Sequence, residues 1–252
     1  MVKNNQSANS RRKLDALLRA ENIPGAYSIL QRVLDYARFL ADIENVIVVV
    51  SDMAAGESHI FAGAFANSLG ITDYNQEKSI WENKILSLMS PEEQEEKYIA
   101  ELRFFHYLRH IPQKRKKYFY LVSKLRFKFF NGELHDVLHR MHYIFDEKND
   151  DVRYAICIYG PMTFDFNGKS HAVNSVTGLT EELTATGNGA ILSPRESQVL
   201  SLIDKGMKSA EIAERLSISV HTVSRHRQEI ISKLQVKNSH DACRVARTLK
   251  II

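Results

Sequence analysis

The C-terminal stretch from Ile191 to Ile252 constrains this chain most, because helix caps, apolar spacing and turn residues there leave room for only one arrangement of short helices. Ser193-Pro194-Arg195-Glu196 places a capping hydroxyl before a proline at the first helical position and a carboxylate three residues on. Val199, Leu200, Leu202 and Ile203 recur at helical spacing until Lys205-Gly206, where glycine tolerates a left-handed stop. A second helix follows Ser209 with Ile212, Ala213 and Leu216 on one face. A third follows Ser219 with Val220, Val223, Ile230, Ile231 and Leu234. Only Ser217-Ile218 separates the two, the short connection that a helix-turn-helix needs.

On a wheel of about 100° per residue, the third helix sets His221, Ser224, Arg225, Gln228 and Ser232 opposite its apolar side. A helix of this kind fits the DNA major groove, with its N-terminal residues at the base edges. Ser224, Arg225 and Gln228 are placed to read bases, Arg225 as a bidentate donor to guanine and Gln228 to adenine. His221 and Thr222, near the positive end of the helix dipole, are placed to hold phosphate. Arg227 lies near the apolar side, so its stem must run along the core edge with its head outward, toward phosphate.

These residues resemble the LuxR-type (NarL and FixJ-like) DNA-binding domain. The match rests on Leu192-Ser193, Arg195-Glu196, Val199-Leu200, Gly206, Glu211-Ile212-Ala213, Leu216, Ile218-Ser219, Thr222-Val223, His226, Lys233-Leu234 and Val236. The resemblance implies an all-α four-helix domain whose fourth helix, Ser239 to Lys250, serves dimer contact on a two-fold DNA site. It adds Lys233 to the DNA-binding set of His221, Thr222, Ser224, Arg225, Arg227 and Gln228. Ser224 and Gln235 stand where the family commonly has Lys and Gly, so the operator does not carry over.

Charge agrees with this reading. The chain carries +4 overall, and Ile191 to Ile252 holds eleven Lys and Arg against six Asp and Glu, a balance of +5 that leaves −1 for the rest. Basic charge gathered on the groove-reading segment is the footprint of a nucleic-acid module. Cys157 and Cys243 are the two cysteines, too few for a disulfide framework or a Cys-rich zinc site. The strongest apolar run, Val46 to Val50, is far below the roughly 20 residues of a membrane helix. Met1 to Lys13 is polar and basic without an apolar signal segment, which points to the cytoplasm.

Before the helix-turn-helix, Asn4 to Asn9 reads as disordered, Leu14 to Leu18 as a short helix and Pro24-Gly25 as a break. Ala26 to Ala41 carries Ile29, Leu30, Val33, Leu34, Ala37 and Leu40 on one helical face, a stripe that serves core packing or a subunit interface. Two strands, Val46 to Ser51 and Ser58 to Phe61, precede helical segments ending at Leu69-Gly70, spanning Ile80 to Met89, and starting from the cap Ser90-Pro91-Glu92-Glu93. Lys116 to Phe129, Glu133 to Phe145 and Val152 to Phe164 then read as three antiparallel strands. With Val48-Val49-Val50-Ser51-Asp52-Met53 and Phe65-Ala66-Asn67-Ser68-Leu69-Gly70, this order resembles the PAS sensor fold, which implies a five-stranded sheet with helices over one face and a cavity for a small molecule. The expected organisation is α+β: a tail at 1–23, a PAS-like sensor or dimerisation domain at 24–166, a Gly-, Ser- and Asn-rich linker at 167–190, and the helix-turn-helix at 191–252.

Catalytic signals do not compete with this. His135, His139 and His142 lie near Asp136, but strand alternation turns His135 and His139 away from His142, so no three-histidine metal site forms. His106 and His110 lack the glutamate of a metalloprotease motif, leaving solvated or capping roles. Lys114-Arg115-Lys116-Lys117 reads as a solvated loop. No nucleophile elbow, phosphate loop or dinucleotide fingerprint occurs, and no residue pattern specifies a cofactor. The sequence thus points to a non-enzymatic transcription regulator that binds double-stranded DNA as a homodimer and works with RNA polymerase. An interaction adaptor, a sigma-like factor and a small-molecule enzyme in the N-terminal domain are the competing readings.

Overall fold

The computed structural model describes residues 3–18, 27–146, 149–184, 191–234, 236–249 and 251–252. It opens with α1 (Lys3–Leu18), α2 (Tyr27–Glu44), β1 (Ile47–Asp52) and β2 (Glu57–Ala62). Then come α3 (Phe65–Ser68), β3 (Gln76–Glu77), α4 (Asn83–Leu86), α5 (Pro91–Arg109), α6 (Gln113–Lys116), β4 (Phe119–Lys128), β5 (Leu134–Phe145) and β6 (Val152–Pro161). After β7 (Ser170–Asn174) and β8 (Thr180–Glu182) the chain ends in α7 (Pro194–Asp204), α8 (Ser209–Leu216), α9 (Val220–Lys233) and α10 (Ser239–Thr248). Every strand pairing is antiparallel, in the order β3-β2-β1-β6-β5-β4-β7-β8.

The central strand β1 is buried along its whole length, which explains why it reads as an unbroken apolar run rather than an alternating one. Ile47 and Val49 face the main core under α3, α4 and α5, whereas Val48 and Val50 pack with Ala37 and Ala41 of α2 on the opposite face. Helices therefore cover both faces at this end of the sheet. Period-two alternation sends Leu121, Leu125 and Phe127 of β4, Val137 and Met141 of β5, and Cys157 and Tyr159 of β6 into the same core. Each fully buried aliphatic side chain here contributes roughly 1.5–3 kcal/mol. Two strands, helices and a three-stranded meander in one antiparallel sheet are the PAS-like order expected. Helices over one face only, as that resemblance implies, is not what forms: α2 covers the other face, because Val48 and Val50 of the fully buried β1 need apolar partners there too.

Three expectations need correction. The stretch assigned to a linker builds two strands, because Ser170, Ala172 and Val173 are buried against β4 and Asn174 turns the chain by accepting from the Val176 and Thr177 amides. Glycine and asparagine serve a hairpin there, not a flexible spacer, and with the two-residue β3 beside β2 the sheet has eight strands instead of five; residues 185–190 lie outside the described residues. Ile80 to Met89 holds only the single helical turn α4, although Trp81, Ile85, Leu86 and Met89 are all buried; their spacing records what the core uses, not a continuous helix. Asn4 to Asn9 belongs to α1, which docks on α5 through Leu14, Leu18 and a hydrogen bond from Ser10 Oγ to Glu95 (2.7 Å). The Pro24-Gly25 break lies outside the described residues.

The apolar core continues from the sheet domain into α7–α10. Arg103 of α5 donates to Leu183 O (3.1 Å) and to Leu249 O just past α10 (2.8 Å), and Lys13 donates to Arg244 O (2.8 Å).

Candidate nucleic-acid interface

The helix-turn-helix is built by its caps. Ser193 Oγ accepts from the Glu196 amide while Glu196 Oε2 accepts from Ser193 N–H (2.7 Å), with Pro194 at the first helical position. Gly206 takes φ 83° at the end of α7. Glu211 accepts from the Lys208 amide at the start of α8, and Ser217 ends that helix in the left-handed region at φ 52°. Ser219 Oγ then caps α9 at the Thr222 amide (3.0 Å). The sharp turn between α8 and α9 is thus set by one left-handed serine followed two residues later by a capping serine.

Against α7, α8 and α10, α9 buries Val223, Ile230 and Leu234 beside Leu200, Ile212 and Ala246. His221, Ser224, Arg225, Gln228 and Ser232 are exposed, as the wheel requires. Val220 departs from it: at 48% exposed it sits on the outer side of the first turn, where the helix has not yet reached its partners. Thr222 is half-buried, its hydroxyl 2.8 Å from Ser219 Oγ. Arg227 is half-buried with Nε enclosed and without a hydrogen-bond partner, matching the expected path of its stem along the core edge.

Two candidate residues are already engaged inside the chain. Arg225 Nε donates to Glu229 Oε1 (2.9 Å) one turn on, an exposed pair that competes with DNA for the guanidinium. Lys233 donates to Glu196 Oε2 (2.8 Å), the carboxylate of the α7 capping box. Its ammonium ties α9 to α7, with about a third of the side chain still exposed. Burial works against the Glu196 charge, but Lys233 and the Ser193 amide outweigh it and hold the carboxyl below its usual range.

The three strand histidines separate as alternation requires. His135 is exposed beside Glu133, His139 is fully buried in the main core, and His142 stacks on Tyr120 from the other face (4.9 Å). His106 is buried rather than solvated, and burial holds its pKa down to about 4; His110 closes α5 with Nδ1 2.9 Å from His106 O. In the basic run Lys116 is also buried, ion-paired with Asp150 and over the Phe145 ring.

Sequence reasoning missed a buried charge cluster under α5. Lys97 lies 2.6 Å from Glu101 Oε1 and 3.1 Å from Glu82 Oε1, with all three side chains under 5% exposed, and the Tyr159 hydroxyl donates to Glu82. Burial pulls against the ammonium, but the two glutamates overcome it and hold the Lys97 pKa well above its ordinary value. The available signal was a Lys-Glu pair four apart set among Tyr98, Ile99, Ala100 and Leu102, charge where a core stripe was due.

Residues 190–246 match the family of bacterial regulatory proteins of the luxR type. The transcriptional regulatory protein RcsB of Escherichia coli K12 is 40% identical over 72 residues, 28% of this chain and 33% of that protein. The oxygen regulatory protein NreC of Staphylococcus aureus is 42% identical over 95 residues, 37% of this chain and 44% of that protein. The chain thus spans between a third and a half of the length of these curated relatives. The crystal structure of a phage VqmA–DPO complex aligns over 89% of this chain and 88% of that one at 14% identity, with a TM-score of 0.35 that is too low to bear on fold or ligand. No helix among the described residues is long and apolar enough to cross a membrane. The caps, the left-handed turn, the buried faces of α7–α10 and the family match agree: the C-terminal part of this chain is a LuxR-type helix-turn-helix domain.

Proposed function

We propose that the chain is a sequence-specific DNA-binding regulator of transcription, active as a homodimer in the cytoplasm, without enzymatic activity. The observation that carries this is α9, which is buried through Val223, Ile230 and Leu234 and leaves His221, Ser224, Arg225 and Gln228 on open surface inside a luxR-family domain. In this reading Ser224, Arg225 and Gln228 read bases, while His221, Thr222 and Arg227 hold phosphates. The PAS-like domain, at 24–166 and extended by β7 and β8, senses a small molecule or joins two chains. Dimerisation is supported by the outer side of α2, where Tyr36, Phe39 and Ile43 are each more than half exposed and are joined by Ile29, which turns outward instead of packing with Leu30, Val33 and Ala37 as its stripe implied. Regulation then runs through RNA polymerase at the bound promoter.

The test is genome-wide mapping of bound DNA followed by binding of variants to a mapped site and to a scrambled duplex. Affinity should fall steeply with salt as phosphate contacts release counterions. Arg225→Ala should cost about 1–3 kcal/mol on the mapped site and relax preference at one base pair, whereas His221→Ala should weaken both duplexes by a similar factor. Retention of full sequence preference by folded Arg225→Ala would move the reading face elsewhere on the domain.

A further inference from the structure

His139 is a histidine with nothing to bond. It lies on the inner face of β5, is 0% exposed, and is held flat against the Tyr159 ring at 4.8 Å, yet neither ring nitrogen has a hydrogen-bond partner. A buried imidazole left in that state forfeits on the order of 1–3 kcal/mol per unsatisfied group, and such groups are otherwise paired, hydrated or functional. Around it lie the two other side chains that a transition metal recruits. Glu101 Oε1 of α5 is 3.9 Å from His139 Nε2, and the Cys157 sulfur of β6 completes a set whose ligand atoms all lie within 4.8 Å of one another. All three residues are buried.

We infer that Glu101, His139 and Cys157 bind a divalent transition-metal ion of the zinc type. One thiolate, one imidazole and one carboxylate form a mixed donor set that suits zinc or cobalt(II) rather than calcium or magnesium, which take oxygen ligands. At ordinary zinc bond lengths two tetrahedral nitrogen and oxygen ligands stand about 3.4 Å apart, so Glu101 and His139 need to close by only about half an ångström. Three protein ligands leave a fourth position for water or a small ligand. Charge favours the ion as well. Two buried carboxyl groups, those of Glu82 and Glu101, share the single ammonium of Lys97; a cation beside Glu101 gives it a partner of its own, and Lys97 keeps Glu82. On binding, Cys157 gives up its proton to solvent and ligates as thiolate. An open cavity of about 330 Å³ is lined by Ala100 and Ser123, which neighbour the site: Ala100 precedes Glu101 on α5, and Ser123 is the register partner of His139 across β4 and β5.

The test uses the untagged full-length protein, treated with chelator and titrated with cobalt(II) chloride. One equivalent should bind with the near-ultraviolet charge-transfer absorption of a cobalt–thiolate bond, and zinc chloride should displace it. Cys157→Ser should abolish that absorption, while His139→Gln and Glu101→Gln should weaken binding by roughly tenfold or more, since even outer partners of a metal site cost that much. Cys243→Ser and His135→Ala, which alter the other cysteine and the exposed histidine, should leave the spectrum unchanged. The wild-type chain decides the matter where a core variant does not fold: uptake of less than one equivalent without the thiolate band overturns the site, as does a band that disappears in Cys243→Ser and persists in Cys157→Ser.

Discussion

Both halves of the molecule bury glutamate against lysine, and they do so in different ways. In the helix-turn-helix, Glu196 is first a helix cap, bonded to the Ser193 amide, and Lys233 reaches it with about a third of its side chain still in solvent. In the sheet domain, Lys97 has only 1% of its side chain exposed and bridges Glu82 and Glu101 from inside the core. The first pair adds a tether to a unit that local caps already specify. The second is an enclosed network whose members have no recourse to water, so each depends on all the others.

That contrast breaks most sharply with substitutions that strand a charge. Val223→Asp places a carboxylate at a fully buried apolar position under α9, and should cost more than about 3 kcal/mol, unfolding α7–α10. Circular dichroism during urea denaturation should show the loss. Lys97→Met, in the metal-free protein, removes the one ammonium that faces two buried glutamates and should cost about 3–5 kcal/mol. Lys233→Met, where the lysine is a third exposed and Glu196 keeps its bond from the Ser193 amide, should cost on the order of 1 kcal/mol. Similar losses from the two methionine variants would show that the Lys97 network is hydrated in solution and that the contrast between the two pairs is one of position alone.

Acid should separate the halves as well. Burial holds His106 and His142 to about 4, against 6.5 for the free side chain, with neighbouring positive charge adding to the effect. As pH falls below 6.5 the unfolded chain takes up these protons and the folded chain does not, so stability falls with pH until about 4. The slope is at most about 1.4 kcal/mol per pH unit for each histidine. His142→Phe, which keeps a ring against Tyr120, should flatten the dependence of the urea midpoint between pH 6.5 and pH 4 by one histidine's share. An unchanged slope would mean that His142 is protonated in the folded state.

The same contrast explains what could be read from residues alone. Every helix of the C-terminal domain announces itself locally, by Ser193 with Glu196, by Gly206, by Ser219, and by one apolar face per helix. Where the wheel erred, at Val220, it erred at a helix end, where neighbours rather than periodicity set exposure. Lys233 read as a basic residue on a basic helix; its partner Glu196 lies 37 residues away, and no local pattern joins them. In the sheet domain the five principal strands were legible from β-branched runs and alternation. The Ser170–Asn174 and Thr180–Glu182 strands were not, because a short hairpin shares its glycine, serine and asparagine content with a linker. Glu101, His139 and Cys157 stay scattered over 57 positions until α5 folds across β5 and β6, so only tertiary structure brings them together.

The smallest effect tests how the DNA-facing surface is held before DNA arrives. Arg225 and Glu229 pair across one turn of α9, with three-quarters of the arginine side chain in solvent. An exposed pair at this spacing stabilises a helix by about 0.2–0.5 kcal/mol, and the acid-first order is the stronger one, so this pair belongs at the weak end. Glu229→Gln should therefore lower stability by no more than a few tenths of a kcal/mol. On DNA the sign reverses. The substitution releases the guanidinium from a competing carboxylate, and it removes a negative charge from a surface that approaches phosphate. Affinity should rise by about two- to fivefold, less than 1 kcal/mol, on the mapped site and on scrambled duplex alike, because the charge change acts without regard to sequence. Combining it with Arg225→Ala divides the two contributions: the gain from removing the carboxylate remains in the double variant, and the part that came from freeing Arg225 disappears. A fall in affinity with Glu229→Gln alone would instead make Glu229 the residue that aims Arg225, and the ion pair a part of the reading surface itself.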